Sequence, residues 1–99
     1  MSEQQEAILN ARITRGADAA RLLSDPLLKQ ALDSIERDIQ IAVSRLAPSD
    51  HAGRDVFWRE LGALSSVKSK LHAYVASGSE ANKTLLNKIT SAAKQIVRA

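Results

Sequence analysis

Apolar residues recur at helical spacing along most of this chain. Leu28, Leu32, Ile35, Ile39, Ala42 and Leu46 step by four and three, and Phe57, Leu61, Leu64, Val67, Leu71 and Val75 repeat that cadence after a short break. Two such stretches joined by a few residues predict a long helical hairpin with antiparallel arms. Residues 3 to 22 carry a looser face of Ile8, Leu9, Ile13, Ala17 and Ala20, and residues 80 to 97 carry Leu85, Leu86, Ile89, Ala92, Ala93 and Ile96. The expected fold class is therefore all-α: a long antiparallel hairpin with a kinked N-terminal helix and an additional C-terminal helix, in an oligomer.

Cap and breaker residues set the boundaries. In Ser24-Asp25-Pro26 the Asp25 carboxylate can accept free backbone N–H groups, and Pro26 suits the first helical position, where its missing N–H costs nothing. The second helix should run from Pro26 to about Leu46. Ala47-Pro48-Ser49-Asp50 ends it, and Ser49 or Asp50 can cap a third helix from about Asp50 to Ser77. Gly78 reads as its C-terminal stop, with Ser79 capping a fourth helix from Glu80 to about Val97. Gly16 costs the first helix about 1 kcal/mol relative to alanine, which predicts a kink or a two-piece helix. The chain then divides into a hairpin domain with its N-terminal helix, residues 1 to 79, and an amphipathic helix, residues 80 to 99, in the same domain or at an oligomer contact.

Size favours association. At about 1.5 Å per residue, an arm of 20 residues is about 30 Å long, the width of a small domain. Ninety-nine residues, 44% of them hydrophobic, stand near the lower limit for a self-sufficient core. With one each of Phe57, Trp58 and Tyr74, that core must come from Leu, Ile, Val and Ala, which favours packed helices. The absence of cysteine excludes disulfides and thiolate chemistry. No apolar run approaches the roughly 20 residues of a membrane span, and no basic start followed by an apolar stretch opens the chain. A soluble, cytoplasmic protein with no membrane partner is expected.

The net charge of +3 is unevenly placed. Residues 1 to 79 balance ten Lys and Arg against ten Asp and Glu, so the excess lies in Lys83, Lys88, Lys94 and Arg98, which face only Glu80. On a helix these cations sit at scattered angles and form no stripe, which favours a solvated surface over nucleic-acid binding. His72 has no ligand partner at i+4 and His51 has only Asp55 there, short of the ligand set a helical metal site needs. Glu36, Asp38, Asp55 and Glu60 have basic neighbours within about a turn and read as surface ion pairs. With neither a glycine-rich phosphate loop nor an activated nucleophile, no enzyme and no cofactor are expected.

Two polar clusters remain. Arg12, Arg15 and Arg21, beside Asn10, present guanidinium groups that either hold phosphates in bidentate fashion or pair with Asp18, Asp25 or Glu6. In the run Ser65 to His72, the residues Ser65, Ser69 and His72 share a face with Lys68 beside them. That face suits a close partner helix or a polyanionic ligand. Trp58, next to Phe57, reads as core or interface packing ahead of a base-stacking platform.

The segment ARLLSDPLLKQALDSIERDIQIAV, a turn, and then FWRELGALSSVKSKLHAYVASG resembles a group of small tailed-phage proteins that includes the anti-CBASS protein 2 family. The shared pattern is an LL-x-DPL helix start, a turn, an aromatic, and a V-x-x-x-L helix ending at glycine, over roughly residues 10 to 78. The resemblance implies a three-helix protomer assembled into a hexamer. It also implies a phage immune-evasion role in the host cytoplasm, sequestering cyclic di- and trinucleotide messengers stoichiometrically and without cleavage. Arg15, Arg21 and Lys68 would contact phosphates, with Lys70 and His72 as further ligand-binding positions. The chain departs from the family in lacking an aromatic before Phe57 and in its helical tail after Gly78. The rival reading is a small helical virion or assembly accessory protein acting through protein contacts, and a third is a DNA-binding protein using the basic tail.

Overall fold

The computed structural model describes residues 2 to 98, with the side chains of Val97 and Arg98 outside the described set. Arg98, one of the four tail cations, is therefore not placed. The described residues form three helices and no strand: α1 (Glu3–Ser24), α2 (Pro26–Ser44) and α3 (His51–Arg98). The expected all-α class holds.

The helix starts follow the cap chemistry. Asp25 Oδ1 accepts from Leu27 N at 2.8 Å and Leu28 N at 3.1 Å, with Pro26 at the first position of α2. At its far end α2 closes on Arg45, whose N–H donates back to Ala42 O and Val43 O, two residues short of the expected end near Leu46. Asp50 caps α3, accepting from Gly53 N at 2.8 Å. Arg54 Nη1 donates to Pro48 O at 2.8 Å and ties the connection to the helix it precedes.

Two expectations fail at glycines. Gly78 does not stop the third helix, and residues 80 to 97 are not an additional helix: α3 is continuous for 48 residues, about 70 Å of helix contour. A glycine stop requires a left-handed backbone, and no described glycine has positive φ. Likewise α1 runs unbroken through Gly16, so the two-piece reading of the first helix is wrong.

The chain forms two compact units. In one, residues 3 to 21 of α1 pack with residues 71 to 98 of α3. Its buried residues are small or few: Leu9, Gly16, Ala19, Gly78 and Ala81. A Cβ built on Gly16 would stand 2.9 Å from Tyr74 O and 3.0 Å from Gly78 Cα, and one on Gly78 would stand 3.0 Å from Arg12 O. The two glycines let one backbone lie directly on the other, which any side chain would prevent.

The other unit, Leu22–Lys70, joins α2 to the first twenty residues of α3. Ile39 is its one buried apolar residue among those described, at 7% exposure. Leu28, Leu32, Ala42, Leu46, Phe57, Leu61 and Leu64 are half-buried. Two members of the apolar stripes, Ile35 and Val67, stay 48% and 51% exposed.

Candidate functional site

The first arginine cluster is divided among separate partners. Arg12 Nε donates to Ser77 Oγ at 2.9 Å and Arg12 Nη2 to Ser77 O at 3.1 Å, with Glu80 3.9 Å away. At 31% side-chain exposure this guanidinium clamps α1 to α3 beside the glycine contact. Arg15 places its guanidinium carbon 4.6 Å from the centroid of the Tyr74 ring, a cation–π pair worth about 0.5–1 kcal/mol at an exposed site. Arg21 forms an ion pair with Asp18 one turn earlier, one of the pairings open to it on sequence grounds.

Lys68 Nζ lies 3.4 Å from Glu36 Oε2 and bridges α3 to α2. Exposed pairs of this kind contribute about 0.2–1 kcal/mol. Lys70 and His72 are exposed, and neither has an ion pair among the described residues. Of the five ligand positions implied by the resemblance, Arg15, Arg21 and His72 belong to one unit, and Lys68 and Lys70 to the other. On α3, Lys68 and His72 share a face one turn apart, whereas Lys70 projects about 200° from Lys68.

The concave surfaces are grooves between paired helices. In the Leu22–Lys70 unit a groove of about 530 Å³ is lined by Ile35, Ile39, Phe57, Ala63, Leu64 and Val67, with Asp38 and Glu60. Another, of about 270 Å³, is lined by Glu36, Leu61, Leu64, Ser65 and Lys68. The first holds none of the five positions and the second holds Lys68 alone. In the glycine-packed unit a groove of about 310 Å³ lies among Gln5, Ile8, Leu9, Thr84 and Lys88.

Among the described residues no group of three or more His, Asp and Glu side chains is placed to hold a metal ion, and no helix is long and apolar enough to cross a membrane. Trp58 is 67% exposed, so it is not a core residue of its own chain. The pairs Arg12–Ser77, Arg15–Tyr74 and Glu36–Lys68 were not foreseen, because each joins residues distant in sequence. The one available signal was a glycine inside each of two helical patterns, which marks close packing as often as punctuation. Comparison with family models, with curated proteins and with solved structures found no match.

Proposed function

We propose that the protein is a non-enzymatic, self-associating helical module that acts through protein contacts, as a small assembly accessory protein does. The observation that carries this reading is the apolar surface it leaves uncovered. Ile35, Val56, Trp58 and Val67 in one unit, and Ile8, Leu86, Ile89 and Ile96 in the other, are all exposed. Scattered exposed aliphatics are ordinary, but Val56 and Val67 share one face of α3, as Leu86, Ile89 and Ile96 do further along it, whereas Trp58 stands about 180° from Val67. Aliphatics grouped on one face mark an interaction surface. Arg12, Arg15, Arg21 and Lys68 meanwhile have partners within the chain. Sedimentation equilibrium from low to high micromolar concentration tests the reading. A mass that is a multiple of 10.7 kDa is expected; a monomer throughout the range would sink it.

A second reading, the cyclic-oligonucleotide sponge, is favoured by the Arg15–Tyr74 pair. Although no aromatic precedes Phe57 in sequence, α3 brings Tyr74 against a cation of α1, and a ring beside a guanidinium suits a base next to its phosphate. On this reading Arg15, Arg21, Lys68, Lys70 and His72 converge only when an oligomer, a hexamer by the resemblance, gathers them from several chains. Calorimetric titration with cyclic di- and trinucleotides, against linear dinucleotides, discriminates the two. Saturable binding lost in Arg15→Ala and Lys68→Ala, with the oligomer intact, favours the sponge. Heat changes no larger than those of the linear controls leave the contact reading alone.

A further inference from the structure

Two lines of residues at heptad spacing run along the first part of α3. Phe57, Leu61 and Leu64 are half-buried. The second line, Glu60, Ala63, Val67 and Lys70, falls within a wedge of about 80° on the helix and is exposed at every position. On α2, Ala31, Ile35 and Asp38 are exposed as well, and Ile35 and Asp38 line the same large groove as Glu60, Ala63 and Val67.

The amount of surface indicates the size of what is missing. The chain exposes 7589 Å², whereas a self-sufficient monomer of its mass exposes about 5,500 Å². The surplus of about 2,000 Å² is spread over both units. Half of it, about 1,000 Å², matches what one subunit contributes at the lower end of obligate homodimer interfaces, which bury about 2,000–5,000 Å² in total.

Charge and size along the exposed line indicate the occupant. Glu60 and Lys70 have no ion pair among the described residues, and ten residues of helix keep them about 15 Å apart, too far to pair with each other. Ala63 and Val67, one small and one large, lie symmetrically between them. A two-fold axis crossing α3 at the level of Ser65 sets Glu60 opposite Lys70 of the partner subunit and Ala63 opposite Val67 of the partner subunit, each pair occurring twice. A parallel register would instead place Glu60 on Glu60 and Lys70 on Lys70. We propose that the partner for this face is a second copy of the chain, docked antiparallel with α3 on α3, so that two hairpins close into one four-helix core.

This inference rests on the self-association reading, and a charge-swap cycle separates its failure from the failure of that reading. The full-length protein, Glu60→Lys, Lys70→Glu and the double swap are compared by sedimentation equilibrium, with helicity by circular dichroism as the folding control. Each single swap sets like charges together twice and should weaken association by about tenfold or more. The double swap should restore it to within about threefold, since it exchanges the partners of an intact pair. Val67→Asp is the independent variant and should leave a helical monomer. A wild-type protein that is oligomeric while all four variants keep its mass would overturn the proposed face and leave self-association standing. A monomeric wild type overturns both.

Discussion

The two units solve the same problem, packing one helix on another, with opposite materials. Where α1 meets the later part of α3, the contact is made of Gly16, Ala19, Gly78 and Ala81, and backbone lies on backbone. Where α2 meets the start of α3, the contact is made of Leu, Ile and Phe, almost all half-buried. Small residues complete a seam between two helices with little apolar area, and Arg12 then closes it with two hydrogen bonds to Ser77. Large aliphatics on two helices cannot cover one another, because each helix shields only one side of the other. The first unit closes its seam by shape, with Ile8, Leu86, Ile89 and Ile96 left exposed outside it. The second has one buried side chain, Ile39 at 7% exposure, and an open groove, and its remaining apolar surface needs another layer.

The comparison predicts that the two units fail in opposite ways, the aliphatic one by loss of atoms and the glycine one by their gain. The largest effect is expected at Ile39, the buried residue of the aliphatic unit. Ile39→Ala should cost about 2–5 kcal/mol, lowering Tm by about 10 °C or more. Ile35→Ala, half-exposed on the groove, should shift the melting temperature of dilute protein by only a few degrees while weakening association. Thermal melts followed by circular dichroism at two protein concentrations separate these outcomes. Equal losses in both variants would mean that the groove is already closed within one chain.

The second effect lies at the glycine seam. A methyl group at Gly78 would meet Arg12 O and Gly16 Cα at 3.0 Å, both backbone atoms that no rotamer change can move aside. Forcing atoms into a closed contact costs about 1–3 kcal/mol. Alanine returns about 1 kcal/mol of helix propensity, so Gly78→Ala should be net destabilising, by up to about 2 kcal/mol. Chemical denaturation of the purified variant measures it. A midpoint at or above that of wild type would mean that the seam has room for a methyl group.

What was legible in the sequence was local chemistry. Asp25 and Pro26 mark a helix start because cap and proline act within three residues, and the structure places both as expected. The stripes from Leu28 to Leu46 and from Phe57 to Val75 were legible because helical periodicity is also local, though periodicity does not say that Ile35 and Val67 would stay uncovered. Gly78 was misread for the converse reason. Whether a glycine ends a helix or seats a neighbour depends on a residue 62 positions earlier, Gly16, and no local pattern records that. Arg12 is the same case on the polar side: a plausible phosphate ligand by sequence, it is held by Ser77, 65 residues away. Of the ligand positions inferred by resemblance, Arg15 is the one whose partner changes the chemistry available, since Tyr74 supplies a ring that its own helix lacks.

The smallest effect has the opposite sign and isolates the seam from helix propensity. Gly62 lies in the same helix as Gly78 and is exposed, and a Cβ built there meets nothing within 4 Å. With no neighbour to displace, only the backbone contribution remains: alanine restricts the unfolded chain and favours the helix. Gly62→Ala should therefore stabilise by about 0.5–1 kcal/mol. Position 62 also lies about 120° from the centre of the exposed heptad line, so association should be little changed. The identical substitution at two sites of one helix then lowers stability at Gly78 and raises it at Gly62. Paired melts of the two variants read that difference directly. If both move the same way, propensity dominates in α3, and the close approach of α1 does not depend on the absence of a side chain.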